Sequence, residues 1–99
     1  MTRQILISKR AAGQIQRRAQ WWADNRPAAP GAVAADVGEA VRLLAEQPGI
    51  GAKYEGARTP RVRRLYLGRL EYFIYYTADA NVLRVLAFWG ASRGKQPRA

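Results

Sequence analysis

Between Lys9 and Asp24 the apolar residues Ala12, Ile15, Ala19 and Trp22 return at spacings of three and four, with Gln14, Gln16, Arg17, Arg18 and Gln20 between them. That period predicts an amphipathic α-helix. Ser8 stands where an N-cap belongs, and the segment before it, "RQILIS" from Arg3 to Ser8, predicts a short strand leading into the helix. Pro27 and Pro30 in "NRPAAPG" forbid continuation, and Asn25 is placed to cap the C-terminus. A second stripe, Val33, Val37, Val41 and Leu44 with Ala34, Ala40 and Ala45 beside it, predicts a helix from Gly31 to Gln47. Asp36 and Glu39 fall in its first half, as the helix dipole favours. Gly38 weakens that helix by about 1 kcal/mol relative to Ala, unless close packing there requires it. The short Pro-rich link makes the two helices an antiparallel hairpin.

After Gln47 the period is lost. "QPGIGAKYEGARTPR" (Gln47 to Arg61) predicts a long irregular loop. Three β-rich runs follow: Val62 to Leu67, Leu70 to Thr77 and Val82 to Trp89, separated by Gly68-Arg69 and by "ADAN". Links this short force antiparallel neighbours. Simple alternation in the last run sends Leu83, Val85, Ala87 and Trp89 to one face, and Val82, Arg84, Leu86 and Phe88 to the other. The first face is the better candidate for packing on the helices. The expected fold is therefore α+β: a single small domain over 1–99 of order β-α-α-β-β-β, with a helical hairpin on a mostly antiparallel twisted sheet. Residues 90–99 are expected to be a basic, mobile tail.

Composition adds a partner class. The 99 residues carry 17 Lys and Arg against 7 Asp and Glu, a formal charge of +10. Most of the cations are Arg, the better fork for phosphate and carboxylate, so the partner is nucleic acid or an acidic protein, unless the charge only solvates the surface. With no Cys and no His, disulfides, Cys/His zinc sites and Cys/His nucleophile pairs are excluded, and no metal or cofactor is expected. No apolar run is long enough for a signal-peptide core or a membrane span, so a cytoplasmic protein is expected.

Three local pieces, in this order of elements, resemble the RelE/ParE superfamily of toxins from bacterial type II toxin-antitoxin systems. A helix ends in "LLAEQPGIG" (Leu43 to Gly51), a strand reads "YFIYY" (Tyr72 to Tyr76), and a last strand runs into a basic tail, "VLRVLAFWGASRGKQP" (Val82 to Pro97). Two positions depart from the pattern: Phe73 stands where many members carry Arg, and Trp89 near where many carry His.

The resemblance implies one of two activities. RelE-like members cut messenger RNA on the ribosome, which requires a base, an acid and cations around the phosphorane. Arg61, Arg64, Arg84 and Arg93 would supply the cations, and Glu71, Tyr66 or Tyr75 would have to move the protons, because no Tyr, His, Asp or Glu follows Trp89. ParE-like members instead poison DNA gyrase, blocking replication, and stabilise plasmids that carry them. Such a toxin needs only a gripping surface, for which Trp21, Arg61, Arg63, Arg64, Arg69, Tyr72, Arg84, Trp89, Arg93 and Lys95 are the candidates, since Trp, Tyr and Arg are the usual interface anchors. The missing C-terminal acid or base favours this second activity. The resemblance also implies a cognate ParD-like antitoxin in a hetero-oligomer, whose acidic disordered segment folds over the basic domain. A basic nucleic-acid binding module without toxicity is the third alternative, though no helix-turn-helix or other DNA-reading motif is present.

Overall fold

Ser8 sets the first boundary. Its Oγ accepts a hydrogen bond from the Ala11 N–H at 3.0 Å, which ends β1 (Gln4–Ile7) and starts α1 (Lys9–Asn25). The computed structural model describes residues 2–91, so Arg93, Lys95 and nearly all of the expected tail lie outside the described residues. At the far end of α1 the C-cap is Arg26 rather than the expected Asn25: the Arg26 N–H donates to the Trp22 carbonyl at 2.8 Å, and Asn25, the last helical residue, donates from its side chain to the Trp21 carbonyl at 2.9 Å. α2 (Ala32–Glu46) follows a short turn. The remaining elements are β2 (Ala52–Lys53), β3 (Arg63–Leu67), β4 (Tyr72–Ala78) and β5 (Val82–Gly90).

The helices form a pair on one face of a five-stranded sheet of order β1-β5-β4-β3-β2. β1 runs parallel to β5 and every other pairing is antiparallel. A parallel first strand is what the intervening helical pair permits, since parallel neighbours need a long crossover. The core between the layers joins Val33, Val37, Val41 and Leu44 of α2 and Trp22 of α1 to Ile74, Tyr76, Leu83, Val85 and Phe88 of the sheet. On α1 the inward position is Ala11, which is fully buried, whereas Ala12 is exposed.

Two sets of expectations are corrected, element boundaries and strand facing. The segment after Gln47 is not wholly irregular: Pro48–Ile50 forms a 3-10 turn and Ala52–Lys53 pairs with Arg63 and Arg64 as an edge strand. The Tyr76 hydroxyl holds it there, accepting from the Gly51 N–H at 3.0 Å and donating to the Pro48 carbonyl at 2.5 Å. A side chain 25 residues away in sequence supplies the order that local period could not signal. Similarly, Leu70 and Glu71 belong to the β3–β4 turn rather than to a strand, with Glu71 at φ 56°.

The second correction concerns β5. Tyr75 lies opposite Ala87 but Tyr76 lies opposite Val85, leaving Leu86 as an extra residue in a β-bulge. Alternation therefore inverts at Leu86. Leu83 and Val85 face the helices as expected, but Ala87 and Trp89 turn to the other face and Phe88 enters the inter-layer core. β1 ends at Ile7, and beyond it polar side chains satisfy the outer edge of β5. Ser8 Oγ donates to the Leu86 carbonyl at 3.1 Å, and the Phe88 N–H donates to Gln14 Oε1 at 2.8 Å.

Candidate target-binding face

The sheet face away from the helices is covered by side chains rather than by another layer. Val62, Tyr75 and Ala87 form a small second core there, with Tyr54, Ala57, Phe73, Leu86 and Trp89 packed around it. Arg64 lies across this cluster. Its guanidinium carbon is 4.2 Å from the Phe73 ring centre and 5.2 Å from that of Tyr54, and its Nη1 donates to the Tyr75 hydroxyl at 3.3 Å. Tyr54 and Tyr75 meet edge to face at 5.0 Å, and Tyr66 stacks on Phe73 at 5.3 Å. Aromatic and cation–π contacts of this kind hold a guanidinium in one pose.

Arg84 is exposed on the same face, opposite Thr77. Arg64 is opposite Tyr75, so the two arginines stand roughly 12 Å apart, two strands across and two residues along. Trp89, half-buried, faces Phe73 at the other end. Arg61 is exposed just before β3, in a left-handed backbone conformation at φ 63°. It lines an edge cleft of about 480 Å³ with Lys53, Tyr54, Glu55 and Arg63. Arg63 is tied down there, its Nη1 donating to the Gly51 carbonyl at 2.7 Å.

The other candidates lie elsewhere. Arg69 forms a two-pronged ion pair with Asp36 of α2, at 3.0 and 2.5 Å, and its guanidinium is held still more firmly protonated by that carboxylate. Trp21 and Tyr72 lie on the helix side, where they flank Arg18 at 4.2 and 4.8 Å from their ring centres. These residues, with Arg17, Phe88 and Trp89, line a second cleft of about 430 Å³. The sequence period placed Arg18 only among the polar residues of α1, although its spacing of three from Trp21 puts the two on one helix face. Tyr54 came from the segment without a period, and nothing local marks it.

The proton-transfer candidates do not converge. Tyr75 is fully buried, and burial pushes its phenol above the ordinary range against the opposing pull of Arg64. Glu71 is exposed in the β3–β4 turn. It lies six residues before Thr77, the partner of Arg84, or about 20 Å along the strand. Tyr66 is exposed and stacked on Phe73. Among the described residues there is no group of three or more Asp, Glu, His or Cys that could hold a metal, and no helix is long and apolar enough to cross a membrane.

The family model described as the ParE toxin of the type II toxin-antitoxin system parDE matches residues 5–94. A solved structure described as a chromosomal ParDE toxin-antitoxin system from P. aeruginosa has the same fold. It superposes with a TM-score of 0.73 at 17% identity, covering 92% of this chain and 98% of that one. No curated protein sequence matches the chain.

Proposed function

Because the chain belongs to the ParE toxin family of type II toxin-antitoxin systems, we propose that it is a cytoplasmic, non-enzymatic inhibitor of DNA gyrase, held in check by an acidic antitoxin. The observation that carries this reading is the Arg64 cluster. A guanidinium laid over Tyr54 and Phe73 and bonded to Tyr75 is a rigid anchor on an uncovered face, the kind of group that dominates protein interfaces. Arg84 on the same face and Arg61 at its edge extend the anchor with cations.

Phosphodiester cleavage draws less support. The tyrosine nearest the arginines is buried and reluctant to ionise, and the one glutamate weighed as a substitute base lies about 20 Å along the strand from Arg84. A gyrase poison needs no such group, since the topoisomerase breaks the DNA itself. The +10 charge suits an acidic segment that orders on binding.

Brief expression in bacterial cells, with DNA and protein synthesis followed separately by labelled-precursor uptake, tests the reading. DNA synthesis stops first and gyrase-linked breaks accumulate, and Arg64→Ala reduces both effects. Protein synthesis stopping first, with messenger RNA cut on ribosomes, would overturn the reading in favour of a ribonuclease.

A further inference from the structure

Arg18 occupies an unusual position. Its guanidinium lies over the rings of both Trp21 and Tyr72, at 4.2 and 4.8 Å from their centres. Its Nε is buried and has no hydrogen-bond acceptor among the described residues. Two aromatic rings hold the guanidinium, and its buried, unbonded N–H leaves the group short of an acceptor. Arg17 stands on the rim and Phe88 and Trp89 form an apolar wall. Among the described residues that line this cleft of about 430 Å³ there are two arginines and no carboxylate.

We propose that this cleft receives a carboxylate from a protein partner: an Asp or Glu side chain, with an apolar residue beside it, on an acidic segment. The inference rests on the reading above that the domain has an acidic protein partner. A carboxylate is flat and accepts from a guanidinium edge in its own plane, which supplies the acceptor that this group lacks. The neighbouring apolar side chain covers the exposed Trp21 and the half-buried Trp89, a match that a sugar–phosphate backbone lacks. Trp21 is 38% exposed although it also meets the Trp22 ring edge and the Arg26 guanidinium.

The location has a consequence. Tyr72 and Phe88 lie on the helix side of the sheet and Arg64 on the other. A segment seated on Arg18 meets the Arg64 face only at Trp89, which lines this cleft and also packs in the cluster beneath Arg64. Arg18 and Arg64 therefore remain the positions at which neutralising and target-binding contacts are separable by mutation.

The test uses the full chain, made by cell-free synthesis and labelled with nitrogen-15, and follows the side-chain N–H signals of Arg18 and of the three tryptophans. The probes are a twelve-residue peptide alternating Glu and Leu, the same peptide with Gln for Glu, and a twelve-nucleotide single-stranded DNA. The Glu peptide shifts the Arg18 Nε–H and Trp21 signals. Its affinity falls about tenfold or more with the Gln peptide, or in Arg18→Lys, which keeps the charge but loses the fork. Trp21→Ala, at an exposed position, weakens the same titration in a folded protein. The proposal is overturned if the Glu peptide leaves Arg18 unmoved, if Arg18→Lys binds as wild type does, or if the DNA shifts Arg18 as strongly as the peptide. These outcomes are independent of the cellular assay: DNA-synthesis arrest with an inert Arg18 sinks this inference alone, and a responsive Arg18 in a chain that does not arrest DNA synthesis sinks the gyrase reading alone.

Discussion

Removing one hydroxyl, Tyr76→Phe, strikes the contact that orders the segment between α2 and β3. Tyr76 is 1% exposed, and its oxygen bridges the Gly51 N–H and the Pro48 carbonyl. Phenylalanine fills the ring site but strands both backbone groups. A buried polar group left unsatisfied costs about 1–3 kcal/mol. Gly51 is buried and bears that cost, while Pro48 is half-buried and regains water for part of its share. The sum is about 2–4 kcal/mol, a large part of the roughly 5–15 kcal/mol that holds a domain of this size. Urea unfolding followed by tryptophan fluorescence measures it. At a slope of about 1 kcal/mol/M the midpoint falls by about 2–4 M, whereas Tyr66→Phe, at an exposed hydroxyl, stays within about 0.5 kcal/mol of wild type. A Tyr76→Phe change below about 0.5 kcal/mol would falsify the bridging role. The same phenol gives an alkaline signature. Burial raises its pKa in the fold, so its contribution is complete below the unfolded value of about 10 and is lost as the pH rises from there through the folded value. Tyr76→Phe removes that part of the alkaline loss.

Further outcomes follow from single contacts. Gly51→Ala destabilises strongly, because a methyl group there runs into the Tyr76 hydroxyl and lies 2.9 Å from the Arg64 carbonyl oxygen; a thermal melt shows it. Gly38→Ala stabilises by about 0.5–1 kcal/mol, since the added carbon meets only the movable Arg42 guanidinium at 3.3 Å; an unchanged or lower urea midpoint refutes this. Ser8→Ala costs about 1 kcal/mol through the lost N-cap, with a further share from its bond to the Leu86 carbonyl. Asp79 accepts from the Asn81 and Val82 N–H groups, which hold its carboxyl below the ordinary range. The β4–β5 turn therefore gains stability that is complete above about pH 3.9 and lost as the pH falls through the lower folded value. In Asp79→Asn that acid dependence is reduced, as amide exchange at Val82 reports.

The helices and four strands were legible because each has a period of its own, and Ser8 caps the start of α1 as its chemistry suggests. What was not legible depends on partners distant in sequence. β2 exists because Arg63 of the neighbouring strand and Tyr76 of the strand beyond it hold its approach, and no local pattern encodes that. Gly38 was ambiguous for the same reason, until the surroundings resolved it as a weak helix position and not a close contact. In the candidate face, Arg64 and Arg84 were visible as charges in strands. Tyr54, which completes the Arg64 cluster, comes from a segment with no period at all.

The bulge at Leu86 was the costliest omission, because it decides what each face contains. Unbroken alternation would set Trp89 against the helices and Phe88 in the open. With one extra residue, Phe88 instead stacks on Tyr72 at 4.5 Å, the ring that supports Arg18. Trp89 moves opposite Phe73, the ring beneath Arg64. One inserted residue thus equips both sides of the sheet with an aromatic floor for an arginine. Deleting Leu86 removes the extra residue but leaves Val85 opposite Tyr76 and Ala87 opposite Tyr75, so Phe88 and Trp89 keep their faces and both arginine sites survive, whereas Arg64→Ala and Arg18→Lys damage them one at a time. If a folded deletion variant loses either site, as judged by the Arg18 Nε–H shift and by arrest of DNA synthesis, the bulge does more than reverse the alternation.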